Sequence, residues 1–183
     1  LNNKTLLQKV LDGLGKAHGN IGEHDKALKY LTRCVELITE NNDSDHVKSH
    51  ALNNIGQIYL EKKQYEKAIE FFRQSLRIRE KIGFVTGWSG CLCNIGKAQI
   101  EIGDLKNAKE SLLSALELSK TSNSKKYEAR IYELLTKLYE KQEDHQNALE
   151  AFKNFHEISN VLNEQNNDQV AKSLQMKFKA EQE

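Results

Sequence analysis

Proline is missing altogether from these 183 residues. Its absence removes the residue that most often breaks helices, and with Leu, Lys, Glu, Ala and Gln abundant it argues for an all-α chain. Long apolar runs are missing too. No stretch approaches the roughly 20 apolar residues of a membrane-spanning helix, and no basic-then-apolar leader opens the sequence, which argues against insertion into a bilayer. Net charge is nearly absent: 27 basic against 26 acidic residues leave +1. No global field would draw the chain to nucleic acid or to an acidic membrane, so charge-based recognition has to be local. Cysteine is scarce and odd in number, Cys34, Cys91 and Cys93. A disulfide-stapled secreted domain usually carries an even set, so the thiols point to a reducing compartment, the cytoplasm, with a periplasmic setting left open. Leu1 in place of Met, and a C-terminal KFKAEQE that stops inside a helical pattern, give the expectation that both ends are cuts from a longer protein.

What the chain does have is a period. The segments LDGLGKAHGNIGEHDKALKYL, LNNIGQIYLEKKQYEKAIEFF, LCNIGKAQIEIGDLKNAKESL and YELLTKLYEKQEDHQNALEAF align without gaps from Leu11, Leu52, Leu92 and Tyr132, in steps of 41, 40 and 40 residues. Self-similarity on this scale is the signature of stacked units. Inside each unit apolar residues recur at helical spacing, as in Leu52, Ile55, Ile58 and Tyr59, then Ala68, Ile69, Phe72 and Leu76, so each unit is two amphipathic helices. The polar turns NIGEHD, EKKQYE, EIGDLK and KQEDHQ are short enough to force an antiparallel hairpin. Small residues hold two fixed registers: Gly15, Gly56 and Gly96 in the first helix, and Ala27, Ala68, Ala108 and Ala148 in the second. A mid-helix glycine costs about 1 kcal/mol against alanine, so three at one register call for close helix crossing.

The pattern of Leu52, Ile55, Gly56, Tyr59, Ala68 and Phe72 resembles the tetratricopeptide repeat, and the resemblance covers roughly residues 8 to 160. It implies an α-α superhelix of four helix hairpins, beginning near Lys9, Ser49, Ser89 and Ala129, with residues 1–160 as the repeat array and 161–183 as a C-terminal capping or signalling helix. The departures are a missing terminal proline and a period near 40 rather than 34. Thr136 stands where the first-helix glycine would be in the fourth unit. Phe155 stands where Cys34, Ser75 and Ala115 stand earlier, so whatever packs beyond the fourth hairpin is not another standard repeat. Long-period repeats of this kind are common in bacterial signalling proteins. The segment HEISNVLNEQNNDQVAKSLQMKFKAEQE resembles those joining such arrays to output domains in histidine kinases and diguanylate cyclases. A new helix is expected from Val161 and Leu162, covering the end of the array. Its stripe of Val170, Leu174 and Phe178 would pass a signal on or pair two copies.

In this family the first helices line the concave face, where side chains that point away from the core form the binding groove. Carried onto this chain, the resemblance implies Asp12 and Lys16, Asn53 and Gln57, Cys93 and Lys97, and Glu133 and Lys137. One turn further on it implies Asn20, Glu61, Glu101 and Lys141. Three lysines at one register, with amides between them, suit the carboxylates or main-chain carbonyls of a protein or peptide. The plain alternative is an ordinary solvated face, with Asp12, Glu101 and Glu133 balancing the lysines. Lys16 stands where the chaperone-tail carboxylate clamp of the family needs asparagine, which argues against that ligand.

Other clusters read as structural. His46 and His50 are spaced as metal ligands on a helix are, without a third ligand or the glutamate of the hydrolytic zinc motif, so a solvated helix start is preferred. Cys91 and Cys93 would point about 200° apart on a helix, and Cys34 sits at a core register. The loop IGFVTGWSG fits neither nucleotide fingerprint and reads as an inter-repeat turn stapled by Phe84 and Trp88, or as an aromatic contact at the groove's edge. No nucleophile elbow or paired-carboxylate arrangement is recognisable, so neither catalysis nor a cofactor or metal is expected. The functional reading is a binding module in the sensory or regulatory part of a bacterial signalling protein. The alternative is a stand-alone adaptor or peptide-responsive regulator.

Overall fold

The computed structural model describes residues 3–38 and 45–180. Those residues form eight helices: α1 (Asn3–Asn20), α2 (His24–Glu36), α3 (Asp45–Glu61), α4 (Tyr65–Lys81), α5 (Val85–Glu101), α6 (Leu105–Thr121), α7 (Lys125–Lys141) and α8 (His145–Ala180). They pair in sequence as four antiparallel hairpins, α1 with α2 through α7 with α8, stacked into a solenoid. Among the described residues no helix is long and apolar enough to cross a membrane.

One backbone device sets the helix ends. The N–H of Gln64 donates to the C=O of Tyr59 at 2.8 Å and that of Lys63 to Leu60 at 3.0 Å, with Lys63 left-handed at φ 57°. These two bonds consume carbonyls that the last turn leaves over, and they force the chain to reverse within three residues. Gly22, Gly83, Gly103, Asn123 and Glu143 take the same positive φ at the other bends. The following helices begin at once. The Asp104 and Asp144 carboxylates accept the N–H groups of Asn107 and Asn147 at 3.4 and 3.2 Å.

Packing explains the repeated glycines. A Cβ on Gly56 would stand 2.6 Å from Phe72 Cε1, one on Gly96 would stand 2.7 Å from Leu112 Cγ, and one on Gly15 would overlap Leu31. Leu31, Phe72 and Leu112 are fully buried, as are Ala27, Ala68 and Ala108 in the facing helices. In the fourth hairpin Thr136 occupies that slot and turns its hydroxyl to the Tyr132 carbonyl at 2.9 Å. Phe152, at the register of Phe72, remains 48% exposed. The core falls into three apolar clusters. The seam between the second and third hairpins carries polar contacts as well: Cys91 Sγ donates to Ser75 Oγ at 3.4 Å, and the buried Arg79 donates to the Gly87 carbonyl at 2.8 Å.

Two sequence expectations change here. Only Ile82, Gly83 and Phe84 of IGFVTGWSG form a turn; Gly87 and Gly90 lie inside α5. They are small because Arg79 and Phe84 crowd the first and Tyr127 the second. No new helix starts at Val161, since α8 runs unbroken for 36 residues through that point. Nothing near it supplies a positive-φ turn. Packing ends instead: Phe155, Ile158 and Leu162 are half-buried, and residues 163–170 are all exposed. Val170 is among the exposed residues, and the side chains of Leu174 and Phe178 lie outside the described residues.

Candidate binding groove

The first helices α1, α3 and α5 lie side by side, and the polar residues that follow each buried glycine or precede it by three come out on their shared face. Two cavities sit there. The first, about 270 Å³, lies between α1 and α3 and is lined by Lys16, Asn20, Asn53, Asn54, Gln57 and Glu61 together with Gly15, Gly19 and Ile58. The second, about 180 Å³, lies between α3 and α5, where Gln57 and Glu61 meet Lys97 and Glu101, with Leu60, Lys63 and Tyr65 completing the wall. Gln57 and Glu61 belong to both, so the cavities adjoin along α3. Gly15 and Gly19 lie in the wall of the first cavity; a Cβ on Gly15 would run into Leu31 of α2, and one on Gly19 would rest 3.7 Å from Ile58.

Seven of the expected residues are thereby brought together: Lys16, Asn20, Asn53, Gln57, Glu61, Lys97 and Glu101. The others are not. Asp12 lies beside the first cavity, where its carboxylate accepts the Asn54 amide at 3.0 Å. Burial raises the Asp12 pKa, opposed by the Asn54 hydrogen bond and by nearby His50 and Lys16. Glu133 and Lys137 pair with each other at 2.6 Å along α7, and Lys141 is exposed at its end. Neither cavity reaches these three. Cys93 does not face the groove but is fully buried, with Arg130, Lys97 and Glu133 around it. Desolvation pushes its thiol up to about 11, so it stays protonated and unreactive near neutral pH. Cys34 is likewise buried, donates to the Gln8 carbonyl at 3.2 Å and is pushed up to about 11.

Sequence reasoning missed the groove's floor. Asn94 Nδ2 donates to Asn53 Oδ1 at 3.1 Å, and Arg130 Nη2 donates to Asn94 Oδ1 at 2.9 Å. A polar ladder therefore crosses α3, α5 and α7. Because Asn53 uses its oxygen in the ladder, Nδ2 remains its donor end. Asn54 donates to Asp12, so Oδ1 remains its acceptor end. The signal was present: Asn54 and Asn94 occupy one register, directly before Ile-Gly in NNIG and CNIG.

The rings of the histidine pair lie against an aromatic ring. His46 and His50 have their ring centroids 5.5 and 6.2 Å from that of Phe84, whose other neighbour is the Arg79 guanidinium at 5.7 Å. Phe84 thus fastens the turn onto α3. Among the described residues no three His, Cys, Asp or Glu side chains come together as a metal set.

Models of the tetratricopeptide repeat match residues 6–81 and 89–122, together more than half of the chain. No curated protein matches. Among solved structures, the apo form of RapI superposes with a TM-score of 0.81 at 19% identity, over 86% of this chain and 57% of that one. Aspartyl phosphate phosphatase F from Bacillus subtilis superposes with a TM-score of 0.83 at 16% identity, over 89% and 43%. The Rap conjugation gene regulator of the plasmid pLS20, in complex with the Phr* peptide, superposes with a TM-score of 0.67 at 17% identity, over 79% and 40%. At such identities the likeness is one of fold, and the chain spans 40% to 57% of the length of these proteins.

Proposed function

The chain belongs to the tetratricopeptide repeat family, and from that premise we propose that it binds a protein or peptide segment in extended form along the groove of α1, α3 and α5, without catalysis. The observation that carries this reading is the pair of fixed amides. Asn53 offers a donor and the adjacent Asn54 an acceptor at the first cavity, held that way by Asn94 and Asp12. A peptide main chain presents the complementary carbonyl and N–H, and oriented groups bind without a fresh ordering cost. Gln57, between the two cavities, extends the same chemistry toward Lys97 and Glu101. The pLS20 regulator, whose structure is in complex with the Phr* peptide, supports a peptide ligand for the fold.

Peptides selected from a random linear display library test it. The expected result is binding that Asn53→Ala and Gln57→Ala weaken with helicity unchanged, and that N-methylation of one peptide amide abolishes. Selected peptides indifferent to both substitutions would move the site off this face.

The wider role we assign is regulatory: the array in the sensory part of a bacterial signalling protein of the cytoplasm, with α8 as its relay. Support comes from the length of α8, which leaves the core after Leu162 with its residues 163–170 in solvent. A helix so exposed needs another surface to contribute to. Homodimerisation through Val170, Leu174 and Phe178 is one way to provide it. Light scattering on the chain and on Val170→Asp tests that, and a monomer in both cases favours the adaptor reading.

A further inference from the structure

On the convex side the four hairpins repeat a two-residue motif, one residue on the first helix and one on the second. In the first hairpin His18 stacks on Tyr30 with centroids 5.2 Å apart, and in the second Tyr59 stacks on Phe71 at 5.3 Å. In the third hairpin the same registers hold Gln99 and Ser111, joined by a hydrogen bond of 2.8 Å. The fourth places Tyr139 opposite Ala151. A methyl group cannot cover a phenol ring, and a cavity of about 150 Å³ opens there, lined by Tyr132, Tyr139, Leu116 and Ala151, with the polar Asn147 and Glu150 on its α8 side. Its rim differs as well. Leu113, 43% exposed, stands at the register occupied elsewhere by Thr32, Arg73 and Lys153. Thus Tyr139, whose partner register holds only a methyl group, faces an apolar lip supplied by α6, at a register that is polar on α2, α4 and α8.

We propose that this cavity between α6, α7 and α8 is a docking site for a Phe or Tyr side chain projecting from a partner protein. The chain's own first two hairpins show the occupant such a slot takes, an aromatic ring stacked face to face. Offset stacking of this kind adds to the burial of the ring itself, and aromatic anchors in small apolar pockets dominate many interfaces. Lys109 Nζ lies 4.9 Å from the Tyr139 centroid and holds that ring in place. The site shares no lining residue with either cavity of the peptide groove.

The experiment uses the full chain with leucine methyls labelled and N-acetyl-phenylalaninamide as the probe, followed by methyl NMR. Saturable shifts at Leu113, Leu116 and Leu135 are expected, with a millimolar Kd, as befits a ligand of this size. N-acetyl-alaninamide should leave those methyls unmoved. Ala151→Phe supplies the missing ring from within and is expected to weaken probe binding about tenfold or more while raising the melting temperature. Should that variant misfold, Leu113→Arg, which copies Arg73, carries the same test from the rim. Lys97→Glu, in the peptide groove, should leave the shifts intact. Shifts that survive both convex substitutions, or that the alanine analogue reproduces, would overturn the proposal.

Discussion

Phe72 lies against Gly56, so that a Cβ on the glycine would stand 2.6 Å from the ring. The ring is fully buried and has nowhere to retreat. Replacing Gly56 by alanine should therefore destabilise the fold: overpacking costs about 1–3 kcal/mol, which outweighs the roughly 1 kcal/mol that alanine gains in helix propensity. Gly13, two residues before Gly15 in α1, has nothing within 4 Å of its would-be Cβ. Gly13→Ala should stabilise by about 0.5–1 kcal/mol. Urea denaturation of both variants checks the contrast, and equal signs would break the packing account.

The bends give a second prediction. Lys63 and Glu143 hold φ of 57° and 58°, where Gly22 and Gly103 stand in the other two hairpins. A non-glycine residue is strained there, so Lys63→Gly and Glu143→Gly should each raise stability by about 0.5–1 kcal/mol. Gly103→Ala should lower it by about 1 kcal/mol. Melting temperatures of the three variants decide the matter.

The fold was legible because its determinants are local and repeated. Leu52, Gly56, Ala68 and Phe72 report hairpin packing by themselves, and three further copies of the pattern confirm the register. The groove was legible only in part, since register says which way a helical residue points but not what lies across from it. Cys93 has the register of a groove residue, yet it is fully buried, with Arg130 and Glu133 of the next hairpin among the charges near it. Asn94, one residue further along, reaches Asn53 and Arg130 across 41 and 36 positions of sequence, a distance no window of local pattern spans. The continuity of α8 was misjudged for the opposite reason: the end of the repeat pattern near residue 160 marks the end of hairpin packing, not the end of a helix.

Two aspartates should respond to pH in opposite senses. Asp12 has its pKa raised, burial being the largest cause, so its protonated form favours the folded state. That contribution is present below the unfolded pKa and is lost as pH rises through the folded one. Asp12→Asn should consequently be stabilising at neutral pH, with the advantage shrinking as the solution is acidified. Asp144 is held low by the side-chain and backbone hydrogen bonds from Asn147. Its contribution is present above the unfolded pKa and fades as pH falls through the folded one, so Asp144→Ala should be destabilising near neutrality and neutral in acid. Melting curves of both variants between pH 3 and 8 test the signs.

The ladder makes the last prediction, because it ties stability to binding. Asn94 is buried and satisfied on both sides, accepting from Arg130 at 2.9 Å and donating to Asn53 at 3.1 Å. Asn94→Ala strands both partners, and an interior group left unsatisfied costs about 1–3 kcal/mol. Part of that loss belongs to Arg130, so once Arg130 is alanine the second substitution should cost less, and a double-mutant cycle should show coupling of about 0.5–3 kcal/mol. Additivity would mean that the ladder does not act as a unit. The same substitution frees the Asn53 amide to rotate, so groove affinity should fall in Asn94→Ala although Asn94 lines neither cavity. A variant that loses stability but keeps full affinity would separate the two roles and leave the Asn53 amide oriented by α3 alone.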